Sequence, residues 1–185
     1  LIPFKKIGMA LETTIKKELP FSTEAEKAVL GGIMLRNETW DLVSDLVKED
    51  DFHKEEHRLI YRTINLLQDA GKPVDVITVQ EAIEGNGDLP KLINSGGKDY
   101  LTLLAKETPS VANIQSYADI IKQRSNLRRL IVAADNISKV AKESDASGSD
   151  RIIDEAEEKI LSLRDDLNRS VGPRIVKELL GPVYA

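Results

Sequence analysis

Apolar residues in the first 110 positions recur three and four apart, in short runs divided by turn residues, and this predicts several short amphipathic helices. Thr23-Glu24-Ala25-Glu26 has the form of a capping box, in which the Thr23 hydroxyl and the Glu26 carboxylate each satisfy a free backbone N–H. The helix it opens carries Ala25, Val29 and Ile33 on one face. Asn37 reads as the N-cap of a second helix, with Trp40, Val43 and Val47 apolar, running to Lys48. A third carries Ile60, Ile64 and Leu67 and stops at Gly71, which suits a left-handed C-cap. Asp75 caps a short helix through Glu84, closed by Gly85, and residues 85–97 read as a glycine-rich loop. Tyr100, Leu101 and Leu104 begin a further helix that ends before Pro109. Elements this short, each with one apolar stripe, must pack on one another.

The pattern then changes. Residues 113–143 hold Ile114, Tyr117, Ile121, Leu127, Ile131, Ala134, Ile137 and Ala141 at helical spacing with no Gly or Pro to interrupt them. A helix of that span is roughly 45 Å long, too long for the globule beside it. Residues 144–150 form a turn-rich linker, and Ile153, Ala156, Ile160, Leu163 and Leu167 make a second stripe. The prediction is an antiparallel helical hairpin, and a projecting hairpin leaves apolar surface that a second copy across a two-fold axis would cover. The fold class is therefore all-α: an N-terminal extension (1–19), a helical globule (20–111), a long hairpin (112–167) and a tail (168–185). In that tail Ile175, Val176, Leu179 and Leu180 form a short amphipathic segment suited to docking elsewhere.

Composition agrees. Aromatics supply 4% and charged residues 31% of the 185 residues, a mix typical of helical proteins. A net charge of −5 gives no global basic field, so nucleic-acid contact would need a local patch. With no cysteine there are no disulfides or thiolate ligands, which fits a reducing cytosol. The longest apolar run, residues 28–35, is far short of a membrane span. Residues 1–8 precede Met9 without a methionine of their own, so Met9 reads as the native start and the residues before it as a cloning remnant. The chain stops just after a helix begins, and so reads as a piece of something longer.

Charge also divides the hairpin. Residues 122–142 carry six Lys or Arg against Asp135, net +5, whereas residues 143–158 carry seven Asp or Glu against Arg151, net −6. The arms are complementary in cis or in trans. The Lys122, Arg124, Arg128 and Arg129 cluster is accordingly read as pairing with the acidic arm rather than with phosphates.

One pentapeptide suggests chemistry. His53-Lys54-Glu55-Glu56-His57 matches H-x-x-E-H, in which two histidines hold zinc and a glutamate activates its water. These are the only two histidines, and no third ligand stands out. The stretch reads as a helix's first turn, with Glu55 and Glu56 at the positive end of the dipole. A zinc hydrolase on His53, Glu56 and His57 is the remote alternative. Gly96-Gly97-Lys98-Asp99 lacks both the earlier glycine and the hydroxyl residue of a phosphate-binding loop and reads as a turn. No nucleophilic triad stands out.

The string from Pro20-Phe21-Ser22-Thr23-Glu24-Ala25-Glu26 to Met34-Leu35 resembles the opening of the N-terminal domain of DnaB-type replicative DNA helicases. Four further stretches resemble it in the same order: Asp51-Phe52 with His57-Arg58-Leu59-Ile60-Tyr61, Pro73-Val74-Asp75-Val76-Ile77-Thr78, Gly96-Gly97 with Tyr100-Leu101, and Thr108-Pro109-Ser110 through Ile121. His53 departs from the family, which often has Tyr there. The resemblance implies hairpins pairing into dimers through Ile121, Leu127, Ile153, Ile160 and Leu163, and three dimers forming the collar of a hexameric ring. It implies a tail leading to a RecA-like motor that this chain lacks, and with it the ATP and magnesium sites; no cofactor is expected in these residues. It further implies primase as a partner, through Tyr100, Ile131 and Ile137, a helicase loader as another candidate, DNA through the full ring, and a bacterial cytosolic setting, whether the protein is bacterial or phage. Periodicity alone would equally place the two isoleucines in a core or dimer interface. The helicase-binding end of bacterial primases shares this fold and is the alternative, although the tail favours the helicase.

Overall fold

The computed structural model describes residues 19–144 and 148–169, except for the side chains of Asn94 and 165–169. Every regular element among them is helical: α1 (Thr23–Leu35), α2 (Trp40–Ser44), α3 (Glu55–Asp69), α4 (Val76–Gly85), α5 (Asp99–Lys106), α6 (Ile114–Glu143) and α7 (Ser149–Arg169), joined by short 3-10 turns.

Helix α1 is the centre of the globule, packed on α3, α5 and α6. It buries Ala25, Val29, Leu30, Ile33 and Met34, and a helix enclosed on several sides needs more than one apolar stripe. Gly31 and Gly32 make that possible. A Cβ on Gly31 would run into the Thr108 hydroxyl and the Leu104 carbonyl, and one on Gly32 would sit 2.8 Å from the Ile114 δ-methyl. The two glycines let α1 lie directly on the end of α5 and the start of α6.

The start of α1 differs from the capping box expected at Thr23. Ser22 is the N-cap, its hydroxyl accepting from the Ala25 N–H at 3.2 Å. Glu26 does not fold back, because it has stronger partners on α3. Asn37 differs too. Its amide clasps Val74 instead of capping, donating to the Val74 carbonyl at 2.5 Å and accepting from the Val74 N–H at 2.7 Å. The segment after it therefore starts as a 3-10 turn and becomes helical only for Trp40–Ser44.

Other local expectations hold. Gly71 has φ +64°, and the Lys72 N–H reaches the Leu67 carbonyl at 2.9 Å across the C-cap. Asp75 caps α4, accepting from the N–H groups of Ile77 and Thr78 at 2.8 Å each. Residues 85–97 are less loop-like than their glycines suggest: Leu89–Ser95 is a 3-10 helix that plants Leu92, fully buried, in the core.

The first turns of α6 belong to the globule. Ile114, Ala118, Ile121, Ser125 and Arg128 are buried at alternating spacings of four and three residues, one continuous stripe. Beyond Ala133 the helix leaves the globule, and α7 returns beside it: residues 136–140 face 152–159, and residues 123–130 face 160–164. No described helix is long and apolar enough to cross a membrane.

Candidate functional site

The His-Lys-Glu-Glu-His stretch folds around a carboxylate the motif does not contain. Glu26, 1% exposed, lies on the inner face of α1 and points at the start of α3. Its Oε1 accepts the His53 N–H at 2.7 Å; its Oε2 takes the His57 Nδ1 at 2.6 Å and the Lys54 N–H at 3.4 Å. On the far side of the ring, His57 Nε2 is 2.6 Å from the Tyr100 hydroxyl. The arrangement is satisfied throughout when Nδ1 carries the proton and donates to Glu26, while Nε2 accepts from Tyr100. Burial, with the nearby charges of Glu56 and Glu26, pushes the Tyr100 hydroxyl up to about 12, which keeps it a donor at any ordinary pH.

Carboxylate, imidazole and hydroxyl thus stand in the order of a hydrolase triad. They are nonetheless sealed, at 1%, 0% and 5% exposure, so no substrate reaches them. The zinc reading fails on geometry, since both His57 nitrogens are already committed and His53 stacks on Phe21 with ring centroids 4.4 Å apart. Glu56 instead accepts from the Ser95 hydroxyl at 2.9 Å. Burial works against its ionised form, but a backbone hydrogen bond, the Ser95 hydroxyl and Lys54 outweigh it and hold the carboxyl below its ordinary value. The relay ties α1, α3 and α5 together, and Tyr100, expected at a partner-binding position, is an interior residue that orients His57.

A second buried carboxylate joins globule to hairpin. Asp51, fully buried, receives four donors: the Lys48 N–H at 2.9 Å, Lys122 Nζ at 3.0 Å, the Ser125 hydroxyl at 2.7 Å and an Arg129 Nη at 3.0 Å. Its carbonyl accepts from Arg128, whose other Nη reaches the Pro20 carbonyl at 2.9 Å. The basic cluster on α6 is therefore not spent on the acidic arm. Among the described residues no ion pair joins α6 to α7; the acidic arm shows only Arg151 with Glu155, at 3.8 Å. One buried carboxylate, out of water and rich in acceptor sites, outcompetes a solvated acidic surface for those cations.

Above this latch the hairpin is open. Leu127, Leu130, Ile160 and Leu163 line a mainly apolar groove of about 460 Å³ between the arms. Leu130 and Ile160 are 50% and 51% exposed, and Ile131, Val132, Ile153 and Leu161 are exposed as well. Of the residues expected at a hairpin interface, Leu127, Ile160 and Leu163 line this groove and Ile153 is exposed on α7. Ile121 does neither. It is sealed in the globule core, because the stripe on α6 faces the globule for its first turns and solvent only later. Ile131 is exposed, and Ile137 is half-buried between the arms beside Val140 and Ile152. Ile175, Val176, Leu179 and Leu180 lie outside the described residues. Glu26, Asp51 and Ser125 have no counterpart in the sequence reading, where Glu26 was spent on a local cap.

Residues 18–123 match the family model of the DnaB-like helicase N terminal domain. Over 173 residues, 92% of the chain, the sequence is 39% identical to the replicative DNA helicase DnaB of Buchnera aphidicola subsp. Baizongia pistaciae, of which the match covers 37%. The crystal structure of the N-terminal domain of DnaB helicase from Mycobacterium tuberculosis is similar, with TM-score 0.71 and 28% identity over 78% of this chain and 99% of that one. A DnaB-like replicative helicase whose structure is described together with its interactions with primase is similar too, with TM-score 0.61 and 25% identity over 77% of this chain and 31% of that one. The chain spans about a third of the length of the curated relatives it matches.

Proposed function

Because the chain belongs to the DnaB-like helicase N terminal domain family, we propose that it is the scaffold and docking region of a hexameric replicative DNA helicase. In this reading two copies pair through their hairpins and three such pairs form a collar, in the bacterial cytosol. Unwinding, ATP and magnesium belong to a motor region of the longer protein, through which DNA also passes. Relatives that are themselves helicases favour this over the primase end that shares the fold.

The observation that carries the reading is the open groove between the arms, a row of half-exposed Leu and Ile side chains on a hairpin whose base is fixed to the globule. Contiguous apolar surface of this kind marks an association site, and a self-complementary hairpin closes it with a second copy. Primase docking is supported by the similar helicase described with its interactions with primase. Ile131 on the outside of α6 is the candidate contact, with Ile137 behind it; a loader would compete for the same collar.

Sedimentation equilibrium tests the pairing. The chain should form dimers or larger species at high micromolar concentration. Ile160→Asp, which puts a charge in the groove, should weaken association by about tenfold or more while leaving the helical signal unchanged. A strict monomer at that concentration would contradict the pairing.

A further inference from the structure

Beside the Asp51 latch and next to the apolar groove, the globule and both hairpin arms line a second, open cleft of about 550 Å³. Arg58, Arg128, Arg129 and Lys159 all line it, and no described carboxylate does. The wall between them is apolar, with Val132 and Leu163. Among the described residues only Arg129 of the four has a carboxylate partner, Asp51, and that carboxylate already takes three other donors. Arg128 is held by two carbonyls, which orient it without cancelling its charge. Arg58 spends its Nε on the Phe52 carbonyl, at 2.7 Å, and among the described residues the Lys159 ammonium has no ion-pair partner, its carbonyl alone accepting, from the Ser162 hydroxyl. Burial pulls Arg128 below the ordinary arginine value, and the charges of Arg58 and Arg129 add to the pull against those of Glu26 and Asp51. Positive charge is therefore gathered at the cavity wall, while Glu26 and Asp51, the carboxylates that act on Arg128, do not line it.

Crowded, pre-oriented guanidinium groups suit a bidentate oxyanion, and an apolar wall beside them suits a flat uncharged ring. The volume lies within the range of small-ligand sites. We propose that this cavity binds a nucleotide, its phosphates on Arg58, Arg129 and Lys159 and its base against Val132 and Leu163. The site adjoins the hairpin groove, with which it shares Arg129 and Leu163. Because its lining comes from the globule and from both arms, an occupant would brace the hairpin against the globule.

Calorimetric titration of the chain with ADP, inorganic phosphate and adenosine tests this. ADP should bind saturably, phosphate about tenfold or more weaker, and adenosine not measurably, since the anchoring charge–charge contacts are those of the phosphates. Lys159→Glu, on an exposed side chain with no structural partner, should weaken ADP by about tenfold, and Lys142→Glu, the same charge change at the far end of α6, should leave it unchanged. Phosphate binding as tightly as ADP would reject the base contact. No binding of either ligand at millimolar concentration, or equal losses in the two variants, would overturn the site.

Discussion

Asp51→Ala should lower the free energy of unfolding by about 3–5 kcal/mol, the range for removing one partner of a buried charge network. The carboxylate is the common acceptor for the Lys48 N–H, Lys122, Ser125 and Arg129, and its removal strands the buried Ser125 hydroxyl and takes the Lys48 N–H's acceptor away. Lys122 and Arg129 are less deeply placed, with side chains 16% and 35% exposed, and can turn partly to solvent, which keeps the loss from being larger. Asn at the same position keeps an acceptor but adds a donor facing cations, so Asp51→Asn should recover only a minor part. Urea unfolding checks both, read as a shift in midpoint at unchanged slope. A loss within about 0.5 kcal/mol, as for an ordinary surface change, would show that the latch does not couple hairpin to globule.

Glu26→Ala should cost about 3 kcal/mol or more, since it leaves the His57 Nδ1–H without its acceptor in the sealed core and removes the acceptor of the His53 N–H. The two variants should differ in where the damage appears. Loss of Glu26 loosens the contact of α1 with the first turn of α3, so amide exchange should quicken first at Leu59–Tyr61, while loss of Asp51 should quicken it along the base of α6. Glu26→Gln retains one acceptor oxygen for the His53, Lys54 and His57 donors and should fall between wild type and Ala. Equal stability of Glu26→Ala and wild type would mean that the relay is incidental to the fold.

These two carboxylates also mark what the sequence conceals. Helical spacing foretold every helix from α1 to α7, and Gly71 and Asp75 foretold their own caps, because those signals act within four or five residues. Glu26 satisfied a local rule, the third position of a capping box, so nothing in its neighbourhood pointed to a histidine on another helix. Asp51 was legible as part of a stretch that resembles the family but not as the acceptor for three side chains on α6, more than seventy positions away. The same limit explains Ile121. A stripe of apolar residues reports that one face of α6 is covered, not by what, so its passage from globule core to open hairpin face is invisible in the period alone. The apolar groove itself was legible in Leu127, Ile160 and Leu163. The cationic cavity was not, because Arg58, Arg128 and Lys159 meet only when three helices are assembled.

Pairing of the hairpins with one another can be measured directly, because the chain has no cysteine. Single cysteines at Leu127, Leu130 and Ile160, along the groove, should give covalent dimers under mild oxidation, since paired faces bring some equivalent or facing positions within disulfide reach. A cysteine at Ile77, the most exposed isoleucine of α4 and on the globule, should stay largely monomeric. Faster cross-linking at one or more groove positions is the expected result; rates at all three no greater than at Ile77 would contradict the pairing.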